Sequence, residues 1–111
     1  MKRSILAAAL ALALAGEALA GGLTTSKVAQ FGILTSSSTA WVKVVGPVTT
    51  PATCATPNYF AIDLTTEIGR GVFRVLLAAQ VQGLAVSIAG TGACTHQGAE
   101  DILYVLYNPP T

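Results

Sequence analysis

Charge is what this sequence has least of: among 111 residues only six are Lys or Arg and five are Asp or Glu, with a single histidine. After residue 20 four basic residues (Lys27, Lys43, Arg70, Arg74) stand against four acidic ones (Asp63, Glu67, Glu100, Asp101), so this part of the chain is formally neutral. Such a chain lacks the basic surface that displaces phosphate counterions, which argues against nucleic acid as a partner. One histidine, two cysteines and scattered carboxylates make no ligand set with metal-binding spacing, and no metal or other cofactor is expected. So few charges leave much of a small domain's surface uncharged, the kind of surface that meets a partner.

Long apolar runs are also missing. Residues 5–15 are uninterrupted, but Glu17 cuts the run off well short of the roughly 20 residues that cross a bilayer. With Lys2 and Arg3 ahead of it and Ala18-Leu19-Ala20 behind, the stretch reads as a signal peptide over residues 1–20. The expected product is one domain over 21–111, exported to the periplasm or beyond the cell, without a membrane span. No cysteine follows Ala20 to take a lipid.

Export settles how the only two cysteines are read. In an oxidising compartment two thiols without a competitor pair, so Cys54 and Cys94 are expected to be bonded. Closing a loop of some forty residues contributes about 3 to 4 kcal/mol in the chain-entropy account, a large share for so small a domain. It also disposes of the most suggestive stretch, "GTGACTHQGAED" at residues 90–101. A thiol held in a disulfide is no nucleophile for His96 to activate. The glycines fail as a dinucleotide fingerprint, because Thr95 stands where the third belongs and no helix follows. What remains is a glycine-rich turn stapled to Cys54, with His96 as a solvated turn residue and no catalytic residue anywhere.

The apolar pattern supplies the elements. Residues 28–35 and 40–45 read as strands joined across Ser36 to Thr39; in the second, Ala40, Val42 and Val44 share one face and Trp41, Lys43 and Val45 the other. Residues 46–57 hold three prolines and form a long loop, followed by a strand over 58–62. From Thr65 the period changes. Ile68, Val72, Val75, Leu76 and Ala79 predict one face of a helix ended by Gly83, with Asp63 or Thr65 as its N-cap and Glu67 paired at the surface with Arg70. Gly69 and Gly71 are costly inside a helix, which points to something close to the backbone or to a frayed first turn. Strands over 84–89 and 101–107 complete the order β-β-β-α-β-β. That order, mainly β with one helix, is the arrangement of a five-stranded OB-like barrel; an open α+β sheet with the helix on one face fits it too.

The segment "YFAIDLTTEIGRGVFRVLLAAQVQGLAVSIAGTGAC", Tyr59 to Cys94, has a strand, a capped helix ending in Gly, a Val-rich strand and a cysteine. It resembles the small exported OB-fold proteins related to the binding (B) subunits of pentameric bacterial toxins, the subtilase-cytotoxin and typhoid-toxin group. The resemblance covers about a third of the chain. It implies a noncatalytic subunit that forms a homo-pentameric ring and binds glycans on a host or cell surface. In that reading Phe73 and Leu77, which lie off the core stripe of the helix, pack against neighbouring subunits. The other reading is a monomeric periplasmic or secreted protein of structural or inhibitory role.

A ligand, if the chain has one, is expected at the first hairpin, since the first and fourth connecting loops are the usual binding edges of an OB fold; the other reading is an ordinary solvated turn with Trp41 filling the barrel or a subunit seam. Ser36, Ser37, Ser38 and Thr39 offer hydroxyls that donate and accept, as sugar hydroxyls do. Trp41, the only indole, can stack on an apolar sugar face, and Tyr59 adds a second ring.

Overall fold

The computed structural model describes residues 21–96 and 98–107; the expected leader lies outside them. Six strands, β1 (Leu23–Ser26), β2 (Val28–Leu34), β3 (Thr39–Val44), β4 (Tyr59–Asp63), β5 (Val86–Gly90) and β6 (Glu100–Tyr107), and one helix, α1 (Glu67–Gln82), follow one another with α1 between β4 and β5. The sheet order is β1-β5-β6-β4-β3-β2. Every pairing is antiparallel except β4 with β6, which is parallel through Phe60↔Glu100 and Ala61↔Asp101. The two edge strands are consecutive in the chain, with only Lys27 between them. One bend thus feeds both edges, and the sheet curls into a half-barrel.

Strand β3 shows how the pattern builds the core. Ala40, Val42 and Val44 are buried while Trp41 and Lys43 remain half-exposed, as period-two alternation requires. Phe60 and Ile62 of β4, Val86 and Ile88 of β5, and Leu76 and Ala79 of α1 close over them. Strand β1 was not expected. Its sequence, LTTS, has too few apolar residues to announce itself, and it exists through its antiparallel pairing with β5.

The helix departs from its predicted orientation. Gly69, Leu76 and Ala79 are buried, with Val72 and Phe73 packed beside them, whereas Ile68 is 81% exposed and Val75 also faces outward. The cause is Gly69: a Cβ there would run into the Asp63 carbonyl oxygen, so the missing side chain lets the first turn close onto the end of β4. That contact rotates the inward stripe away from Ile68. Gly71 meets nothing within 4 Å, so only one of the two glycines is required by a neighbour. The N-cap is Thr66, not Asp63 or Thr65; its hydroxyl accepts from the Gly69 N–H at 2.9 Å. Gly83, at φ 70°, ends the helix in a Schellman motif, donating to the Gln80 carbonyl while Leu84 donates to that of Ala79.

The long loop is tied down at several points. Leu23 and Thr49 exchange backbone hydrogen bonds of 2.9 and 2.8 Å, Thr56 N–H donates to the Gly98 carbonyl at 2.8 Å, and Cys54 is bonded to Cys94. Beneath these lies Glu100, 1% exposed. One carboxylate oxygen accepts from the Gly22 and Gly92 N–H groups at 2.8 and 2.9 Å, and the other from Ala52 at 3.0 Å. A single buried carboxylate therefore joins the start of the described chain, the 46–57 loop and the glycine-rich turn. Gly21 and Gly90 make room for it, since a Cβ on either would collide with the Glu100 side chain. No described helix is long and apolar enough to cross a membrane.

Candidate ligand groove

Alternation that sends Val42 and Phe60 inward sends Trp41 and Tyr59 outward from β3 and β4. The register places Trp41 between Gly32 and Ala61, and Lys43 between Gln30 and Tyr59. Gly32 is the reason the indole lies flat across the strands: a Cβ there would occupy the space of the Trp41 ring. Trp41 and Tyr59 meet edge to face, centroids 5.4 Å apart and planes inclined at 63°, a favoured aromatic geometry. The Lys43 ammonium stands 5.8 Å from the Tyr59 centroid.

Two hollows open on this face. One, about 260 Å³, is walled by Leu34, Ser37, Thr39, Trp41, Thr95 and His96. The other, about 350 Å³, is walled by Trp41, Thr56, Tyr59, Gly98 and Ala99. Trp41 and Ala99 line both, so the two hollows adjoin and together make the groove of this face.

Of the six expected ligand residues, Ser37, Thr39, Trp41 and Tyr59 line the groove and Ser36 and Ser38 do not. Ser38, at φ 51°, shapes the turn, and its carbonyl accepts from Leu64 N–H at 2.9 Å. Thr39 is only 2% exposed, which makes its hydroxyl a strut within the wall. It donates to the Ser37 carbonyl at 3.2 Å and lies 3.2 Å from His96 Nδ1. With the hydroxyl proton committed to the carbonyl, the ring nitrogen is the donor of that second bond.

His96 is therefore not a solvated turn residue: it is half-buried and braces the glycine-rich turn against the Ser/Thr turn. Nothing in its sequence neighbourhood signals this. The available clue was the disulfide, because a Cys54–Cys94 bond brings the loops carrying Thr56, Thr95 and His96 side by side.

Beyond His96 a further cavity of about 250 Å³ runs between the start of α1 and β6, bordered by Asp63, Thr66, Gly69, Thr95, His96 and Asp101. Its carboxylates are engaged locally. Asp101 accepts from the Thr95 N–H and hydroxyl. The Thr65 hydroxyl and then its N–H hold the Asp63 carboxyl below the usual aspartate range, and the His96 ring adds a smaller push the same way. Arg70 donates to the Leu64 carbonyl at 2.9 Å, a local partner other than the Glu67 that the sequence pattern pairs it with.

The two residues expected at a subunit seam differ in their surroundings. Phe73 meets Phe31 of the same chain edge to face at 5.1 Å and packs against the core. Leu77 is 41% exposed, and Val81, one turn on, is 79% exposed. No family model, curated protein or solved structure matches the chain.

Proposed function

We propose that this chain is an exported, noncatalytic binding domain built on a five-stranded OB-like barrel. Counting β1 and β2 as halves of one strand bent at Lys27 supports that barrel. The strand order then becomes circular, with the helix between the third and fourth strands. The Cys54–Cys94 disulfide fits an oxidising, exported environment.

More particularly, the domain is read as a ring-forming, glycan-binding subunit of the toxin-B type. The observation that carries the glycan reading is the groove itself. The indole face stands beside the Ser37 hydroxyl and the His96 imidazole, with the phenol ring edge to face against it in the adjoining hollow, the mix of stacking surface and polar partners that a sugar ring needs. Ring formation is supported by Leu77, Ala78 and Val81, apolar residues exposed on the outer side of α1 where a monomer has no use for them.

A glycan array tests the first part. Wild type retains at least one glycan, and Ser37→Ala and Trp41→Ala each weaken it while remaining folded; binding unchanged by both variants overturns the groove as the site. Light scattering on the chromatographed protein tests the second. A monomer at micromolar concentration overturns the ring and favours the structural or inhibitory reading.

A further inference from the structure

We propose that the groove takes a saccharide of at least two contiguous rings, one in each hollow with the linkage crossing Trp41, and that His96 and Thr56 are binding residues. The inference rests on the reading of the groove as a glycan site and adds the size of its ligand. Neither hollow is large: the first, at about 260 Å³, falls below the low end of pockets that enclose a small molecule and the second, at about 350 Å³, only just clears it, whereas the two together fall well within that range.

Each hollow also carries its own set of partners. The first has Ser37, Thr95 and His96 against the Trp41 ring; the second has Thr56 and the Tyr59 ring. A sugar ring presents hydroxyls at its rim and C–H groups on its face, so each hollow is furnished for one ring. Between them stand the Trp41 ring and Ala99, buried and small, which line both hollows. The far wall of both hollows comes from the two loops that the Cys54–Cys94 bond and the Thr56–Gly98 hydrogen bond hold together. The staple thereby shapes the groove as well as stabilising the fold.

The test is a titration of the oxidised protein, followed by NMR, with galactose, N-acetylglucosamine and mannose, each against a disaccharide containing it (lactose, chitobiose, mannobiose). The expected result is a disaccharide bound about ten-fold more tightly than its monosaccharide, the equivalent of about 1.4 kcal/mol. Thr56→Ala, at an exposed position, should weaken the disaccharide more than the monosaccharide and so shrink that preference. His96→Asn places an amide where Nδ1 donates to Thr39, preserving the strut while removing the rest of the ring, and should weaken both probes. Equal affinity for mono- and disaccharide with Thr56→Ala neutral overturns the two-ring ligand while leaving the groove reading standing. Failure of every probe to shift a Trp41 or Tyr59 resonance overturns the glycan reading and this inference with it.

Discussion

Replacing Glu100 with glutamine changes almost nothing in shape and removes the charge from a side chain that accepts from three backbone N–H groups. The glutamine oxygen can take the position that accepts from Gly22 and Gly92, which puts its amide nitrogen against the Ala52 N–H, donor facing donor. Two bonds fall from the charge-assisted to the neutral scale, about 1 kcal/mol each, and the third is lost with its donor buried, about 1–3 kcal/mol. The expected loss is about 3–5 kcal/mol, a large fraction of the roughly 5–15 kcal/mol of a typical domain. Glu100→Ala should cost at least as much, leaving three N–H groups without their acceptor. Asp101→Asn is the control: its carboxylate bonds Thr95 at the surface, and the variant should lose under about 1 kcal/mol. Urea denaturation of the three oxidised variants, with the slope unchanged, reads the differences directly. A Glu100→Gln protein no less stable than Asp101→Asn would refute the claim that this carboxylate joins three loops.

Gly69→Ala should destabilise by about 1–3 kcal/mol through overpacking against the Asp63 carbonyl, while Gly71→Ala should stabilise by about 0.5–1 kcal/mol. Thermal melts of the pair test the assigned helix face, and equal effects would contradict it. The Asp63 carboxyl, followed by ¹³C NMR, should titrate below the ordinary value of about 3.9, and Thr65→Val should raise it. Because its folded value is the lower one, its contribution is in place above the unfolded value and fades as pH falls through the folded one. Reducing the Cys54–Cys94 bond should cost about 3–4 kcal/mol and, by releasing the far wall, weaken any saccharide bound in the groove. Full affinity in the reduced, still folded protein would separate the staple from the site.

The sequence by itself determined what depends on neighbours along the chain. Alternation in β3 set which residues face inward, because successive side chains in a strand point to opposite faces. Gly83 set the end of the helix, because a left-handed residue there costs glycine nothing. Two cysteines without a competitor set the disulfide. The cap was ambiguous for the opposite reason: Asp63, Thr65 and Thr66 are all competent acceptors, and the chain's path into α1 selected Thr66. What only the tertiary structure decided depends on what arrives from far along the chain. The LTTS segment became a strand because β5 lies beside it. The helix turned Ile68 outward because the Asp63 carbonyl touches Gly69. Glu100 went to the interior because three backbone donors from separate loops converge on it, and a buried charge is tolerated only where such partners meet it. His96 joined the groove wall by the same logic, since its partner Thr39 stands 57 positions away and no local pattern encodes that contact.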